Sequence, residues 1–287
     1  MDYGKPLAFG VFVIPDATAP QRPLESAVAA DQLGFDLVGV QDHPYQRRFY
    51  DTFTLLAAMA MRTERVTLFP DVVNLPLRPP ATLAKTAASL DILSGGRFEL
   101  GLGAGGFWDA IEAYGGPRRS PGESVEALEE AIQIIRMLWS SERSVRFEGK
   151  HYRIAGAHPG PPPAHGVGIW VGAYRPRMLS LIGRLADGWV PSLGYLKPPD
   201  LTAANERIDK AARSARRDPQ AIRRVLNVGL YPGDETVDVL VALATEHGMD
   251  TFMLPEDGED PPSHLRKFAE DVIPRVRERV DKIRGSR

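Results

Sequence analysis

The chain has 287 residues, 43% of them hydrophobic and 25% charged, with a formal net charge of −2 at pH 7 and no cysteine. That length buries a large core, and α/β barrels of this size commonly form one domain, so a single unit over residues 1–287 is expected. The near-neutral balance, with Lys and Arg spread along the chain, leaves no electrostatic footprint for nucleic acid, and the lack of cysteine excludes disulfides, thiolate nucleophiles and Cys-ligated zinc.

The start, MDYGKPLAFG, lacks the basic residues and apolar run of an export signal. No later window has the length of a membrane span, so a cytoplasmic protein is expected. From there, short apolar runs alternate with helical periodicity. LAFGVFVI (7–14) reads as a strand and PLESAVAADQLG as a helix closed by Gly34; FDLVGVQD (35–42) is a strand and DTFTLLAAMAMR (51–62) a helix. RVTLFPDVV (65–73) is the third strand, PATLAKTAASLDILSGG the third helix and RFELGLGAG the fourth strand. FWDAIEAYGGPRRSPGES reads as a Gly/Pro-interrupted loop before a fourth helix that starts at Glu123 and carries Val125, Leu128, Ile132, Ile135 and Trp139 on one face. An insertion follows this helix: RSVRFEGKHYRIAG alternates around Gly149 like a surface hairpin, and HPGPPP (158–163) can be neither helix nor central strand. GIWVGA, DGWVPS, IRRVLNVGLY and DTFMLP, each followed by a helical run, complete eight strands. The last helical run, at the C-terminus, is mixed in sign and reads as a solvated face.

Eight strands each followed by a helix is the pattern of a (β/α)8 TIM barrel, and strands that are apolar throughout suit an all-parallel sheet. A doubly wound open sheet is the alternative. GLGAGG (101–106) spells G-x-G-x-x-G, but it lies a third of the way along the chain and opens no long helix, so the context of a dinucleotide-binding turn fails. Two readings stay open: glycines that let a buried strand end against a neighbour, or glycines that let backbone approach a flat ligand.

In a barrel, catalytic groups gather at the C-terminal ends of strands. Those ends carry Asp42 and His43 after strand two, Asp71 and Asn74 after strand three, Gly103 to Trp108 after strand four, and Gly172 to Arg175 after strand five. Taken alone, Asp42-His43 reads equally as a turn pair before Pro44, and Asp71 and Asn74 as turn chemistry before LPLRPP. The other histidines, 151, 158, 165, 247 and 264, fall in the hairpin, the Pro-rich segment or outer helices and read as structural or solvated. With no His-x-His on strand one and no carboxylate cluster, no metal is expected.

The runs LGFDLVGVQDH, RVTLFPDVVNLPLRPPATLAKTAASLDILSGGRFELGLGAG, IWVGA, GRLADGW, RRDPQAI and FAEDVIPRVRE, in this order, resemble the bacterial luciferase-like superfamily of flavin and deazaflavin oxidoreductases, from Leu7 to about Arg279. The resemblance implies that the glycines Gly103 and Gly105, with Ala104, close strand four of a barrel whose mouth holds an isoalloxazine-type ring. It implies a non-proline cis peptide at Asp71–Val72 beside that ring, although most relatives have a small residue where Asp71 stands. It sets His43, with Asp42, facing the ring as the catalytic pair, and a phosphate-binding loop at Gly172 and Ala173 supplemented by Arg175 and Arg177. Here Ala173-Tyr174 replaces the usual Gly-Gly or Gly-Ser. The strand-two Asp-His pair and the short chain resemble the coenzyme F420 branch, which implies hydride transfer to or from a small organic substrate. The alternatives are an FMN monooxygenase fed by a partner flavin reductase, and a cofactor-binding barrel without catalysis. Relatives imply a homodimer. The substrate loops expected to vary are FWDAIEAYGGPRRSP, SLGYLKPPD and EDGEDPP, with Trp108, Tyr114 and Tyr195.

Overall fold

A computed structural model describes residues 1–257 and 260–286; Gly258 and Glu259, in the expected EDGEDPP loop, lie outside the described residues. The first half follows the expected alternation: β1 (Ala8–Val13), α1 (Arg22–Leu33), β2 (Leu37–Val40), α2 (Thr52–Ala60), β3 (Thr67–Pro70), β4 (Val73–Asn74), α3 (Pro80–Ser94), β5 (Leu100–Gly103), α4 (Trp108–Ala113) and α5 (Pro121–Leu138). The second half adds β6 (Val145–Glu148), β7 (Arg153–Ala157), β8 (Ile169–Gly172), α6 (Pro176–Leu185), β9 (Gly188–Trp189), α7 (Pro198–Ser214), β10 (Arg223–Asn227), α8 (Asp234–Thr245), β11 (Thr251–Pro255), α9 (Pro261–Lys267) and α10 (Ile273–Gly285).

The large sheet runs in the order β3-β2-β1-β11-β10-β9-β8-β5-β4, with every pairing parallel. Its first and last members, β3 and β4, are two halves of one strand interrupted at Asp71–Val72, so the order closes on itself as the expected (β/α)8 barrel. A parallel bridge from Leu68 to Phe98 joins β3 to the chain entering β5 at the seam. The antiparallel pair β6–β7 stands apart from this sheet and forms the insertion after the fourth barrel helix, α5. Among the described residues no helix is long and apolar enough to cross a membrane.

Local signals set the helix ends. Gly34 (φ 84°) and Gly95 (φ 71°) close α1 and α3 in the left-handed conformation that favours glycine. Ser120 and Glu123 form a capping box at the start of α5. One expectation is corrected here: the segment after β5 is not loop throughout. Trp108–Ala113 forms a short helix because Ile111 is fully buried, and Gly116 N–H returns to the Ile111 carbonyl at 2.9 Å to end it. The fourth long helix accordingly begins at Pro121, ahead of Glu123.

Inside the barrel, Ala8, Leu37, Phe69, Trp170, Val190, Val225 and Met253 fill the space between the strands, and Phe12 and Val72 pack on them. The barrel is therefore solid below its mouth. Outside it, the strands' other faces and the helices share one large apolar core.

Candidate active site

At the C-terminal ends of the strands lies a cavity of about 770 Å³. It is lined by all the residues expected from the sequence: Asp42, His43, Asp71, Val72, Asn74, Gly103, Ala104, Gly105, Gly172, Ala173 and Arg175. The strand ends thus bring residues from widely separated parts of the chain to one place, as barrel closure requires.

The cavity's shape starts from glycine. The Asp71–Val72 peptide is cis, and Val72 sits between β5 and β8. A Cβ on Gly101 would collide with the Pro70 carbonyl, and a Cβ on Gly103 or Gly172 would come within 2.9 Å of Val72 Cγ2. Within GLGAGG, Gly101 and Gly103 therefore serve the first of the two open readings: they let one strand close against its neighbour. Gly105, at φ 96°, turns the chain out of the barrel toward α4.

Asp42 and His43 are adjacent in sequence but face different partners. Asp42 is 1% exposed, and both its oxygens are engaged: Arg78 donates from Nε at 3.0 Å and from a terminal nitrogen at 2.8 Å, and the Asn74 backbone N–H donates at 2.9 Å. Arg78 also donates to Asp51 at 2.7 Å and lies over the Phe53 ring. Asp51 in turn caps α2 by accepting from Thr54 N–H. Asp42 thus ties the β2 exit to β4 and α2. The imidazole of His43 instead lies among aromatic rings on the cavity wall, stacked on Tyr45 at 5.4 Å and edge-on to Phe107 at 5.4 Å. Burial pushes its pKa below the usual histidine value, with the charge of Asp42 opposing. Burial therefore favours the neutral ring, the form able to accept a proton.

Asp71 is 6% exposed. Its backbone N–H donates to the Val40 carbonyl at 2.7 Å, and its Oδ1 accepts from Asn227 Nδ2 at 3.2 Å. Burial pushes its carboxyl up to about 7, with the Asn227 bond opposing. At the rim, Tyr174 and Tyr195 pack at 5.3 Å, and α6 begins at Pro176, just after Arg175, with no side chain capping its first turn. Its uncapped amides and the nearby Arg175 and Arg177 give this edge the character of an anion site.

Sequence reading missed Arg78, Tyr45, Ser192 and Asn227. Arg78 sits in LPLRPP, which reads as a bend, and its role appears only once β2 and β4 are side by side. Asn227 ends β10 two positions after inward-facing Val225, and its role likewise appears only once β10 faces β3 across the barrel.

Among curated relatives, the F420-dependent glucose-6-phosphate dehydrogenase of Microbacterium testaceum is 32% identical over 244 residues, covering 80% of this chain and 70% of that one. The phthiodiolone/phenolphthiodiolone dimycocerosates ketoreductase of Mycobacterium kansasii is 36% identical over 198 residues, covering 68% of this chain and 53% of that one. The chain thus spans between about half and seven tenths of these relatives' lengths. Among solved structures, an F420-dependent secondary alcohol dehydrogenase in complex with an F420-acetone adduct superposes with a TM-score of 0.83 over 95% of this chain and 99% of that one, at 21% identity, a likeness of fold. The luciferase-like monooxygenase family matches residues 7–278, nearly the whole barrel, and the chain belongs to that family.

Proposed function

We propose that this protein is an oxidoreductase that passes a hydride between coenzyme F420, held in the barrel mouth, and a small organic substrate above it. Two observations carry the reading: the chain is 32% identical over 80% of its length to an F420-dependent dehydrogenase, and its His43 lies on the wall of the mouth cavity. The residues present suit a flat, phosphate-bearing cofactor. Val72 and the glycines around it offer a platform without projecting side chains, Asp71 offers a buried polar oxygen beside it, and the start of α6 with Arg175 offers cationic and amide donors for phosphate.

When bound, the deazaflavin supplies a carbon that takes or gives hydride where flavin has N5. The chain's own residues do the rest. His43 Nδ1 or Nε2 takes the proton of a substrate hydroxyl as its carbon is oxidised, or returns it in the reverse direction; a neutral imidazole is the form that accepts it. Asp42 acts at one remove, holding the β2 exit through Arg78 so that His43 keeps its place. Phe107, Trp108, Tyr174 and Tyr195 surround the opening with aromatic surface that orients an organic substrate and displaces water. Assembly as a homodimer belongs to the same reading and is checked by sedimentation.

Titration of the purified protein with F420 and with FMN, followed by turnover with and without oxygen, tests this. The expected result is tighter F420 binding and substrate turnover that needs no oxygen. Tighter FMN binding with oxygen consumption moves the protein to the FMN monooxygenase reading with its flavin reductase; binding without turnover of any alcohol or ketone leaves a non-catalytic barrel.

A further inference from the structure

Asp71 and Asn227 come from opposite walls of the barrel. In the ring of strands, β3 and β10 stand four places apart, yet the two side chains meet over the solid interior, Asn227 Nδ2 donating to Asp71 Oδ1 at 3.2 Å. Each then has one oxygen, Asp71 Oδ2 and Asn227 Oδ1, that is buried and has no hydrogen-bond partner among the described residues. Both residues line the cavity. A buried polar atom left in that condition is destabilising, so the pair is suited to a ligand that completes it.

The two free oxygens differ in chemistry. The amide oxygen of Asn227 can only accept, whereas Asp71 Oδ2 donates when the carboxyl holds its proton and accepts when it does not. With the proton on, the hydrogen-bonded pair carries one free donor and one free acceptor. That is the complement of an adjacent C=O and N–H, the edge of an imide or lactam. With the proton off, it shows two acceptors and opposes a carbonyl.

We propose that Asp71 and Asn227 form a recognition site for the imide edge of a planar ring, Asp71 donating as a neutral carboxylic acid to a ring carbonyl and Asn227 accepting from the neighbouring ring N–H. The site rests on the proposed cofactor reading and deepens it, because flavin and deazaflavin rings both carry this edge. Burial favours the neutral acid at Asp71, as it does wherever a carboxyl is used as a donor in an apolar site. Ionisable groups lining the cavity come from two sides. From the β2 exit come Asp42, neutralised by Arg78, with His43 and Tyr45; from the β8 and β9 exits come Tyr174, Arg175, Arg177 and Tyr195. Of these, Tyr174 has its pKa raised chiefly by burial, with Asp71 the smallest contributor. Among the described residues, β1, β5 and β10 bring no ionisable side chain to the cavity.

The test is equilibrium titration of the ligand-free protein, by ring fluorescence, with F420 and separately with FMN, in wild type, Asp71→Asn and Asp71→Ser, at about pH 6 and about pH 8. Asparagine keeps a donor at position 71 at every pH. The expected result is that the wild-type Kd weakens about tenfold more than the Asp71→Asn Kd over that interval, while the two agree at the lower pH. Ionisation of the ligand itself appears in both proteins and cancels in the comparison. Asp71→Ser, too short to reach, is expected to bind more weakly than Asp71→Asn at the lower pH, and to do so without the wild-type pH dependence. Parallel pH profiles for wild type and both variants would overturn the proposal while leaving the cofactor site standing. Failure of either ring to bind wild type at any pH overturns the cofactor reading itself, and this site with it.

Discussion

His43 and Asp42 show how neighbouring residues divide the work of one strand end. His43 has only ring neighbours to hold it and a pKa lowered by burial, so its removal is expected to spare the fold. His43→Asn and His43→Ala should lower turnover by about 10²–10⁴-fold with saturating cofactor while the melting curve stays in place. In the alcohol-oxidising direction, wild-type kcat/KM should rise with pH through a value below the ordinary histidine pKa, and His43→Asn should lack that limb. Asp42 is the opposite case. Asp42→Ala leaves Arg78, whose side chain is 20% exposed, without its main partner, and a loss of about 3 kcal/mol is expected, read as a lower denaturation midpoint at unchanged slope. If Asp42→Ala is as stable as wild type, the ion pair does not anchor the strand end.

At the scale of elements, β5 is the clearest case of sequence dictating geometry. Gly101 stands where any Cβ meets the Pro70 carbonyl, so Gly101→Ala is expected to cost about 3 kcal/mol or more and to disturb the cavity with the fold. An equally stable variant would mean that β5 can move away from the bulge. The N-terminus of α6 carries a different expectation: Arg175→Ala should raise the cofactor Kd several-fold with little effect on stability, because Arg175 is exposed and caps nothing. An unchanged Kd would place the phosphate elsewhere on the rim. What the sequence disclosed about these elements follows the same division. The strand ends and the hairpin insertion were legible because each is written in a contiguous run of residues, whereas the cis peptide at Asp71–Val72 was implied by the family resemblance alone. The short helix Trp108–Ala113 was hidden by its flanking glycines, although those same glycines end it. Arg78 and Asn227 were not legible at all. Their partners, Asp42 and Asp71, lie 36 and 156 residues away, and only ring closure decides which strand faces which.

Across the whole molecule, burial holds several carboxyls above their ordinary pKa, even where a cation such as Arg22 near Glu256 or His165 near Glu99 opposes the shift. Burial raises Asp71 and Glu256 to about 7, and it is also the largest influence raising Glu99. A carboxyl whose folded pKa lies above its unfolded value stabilises the fold fully only below about pH 4, and that contribution is lost as pH rises through the folded value, here near neutrality. Glu256→Gln removes one such group. Its stability relative to wild type is expected to improve by about 2–3 kcal/mol between about pH 4 and about pH 8, as an order of magnitude, and this can be followed by melting at each pH. A difference independent of pH would show that folding leaves the Glu256 pKa at its ordinary value.

The solid packing of Phe69, Trp170, Val225 and Met253 beneath the mouth also has a stereochemical consequence. A flat ring laid against a closed floor has one face toward protein and one toward the opening, and a second molecule can meet only the open one. The hydrogen that moves should therefore always be the same one of the two on the reduced carbon. Turnover with substrate deuterated at the reacting carbon, followed by NMR of the cofactor, should show a single labelled epimer; a mixture of the two would mean that the ring can turn over within the barrel.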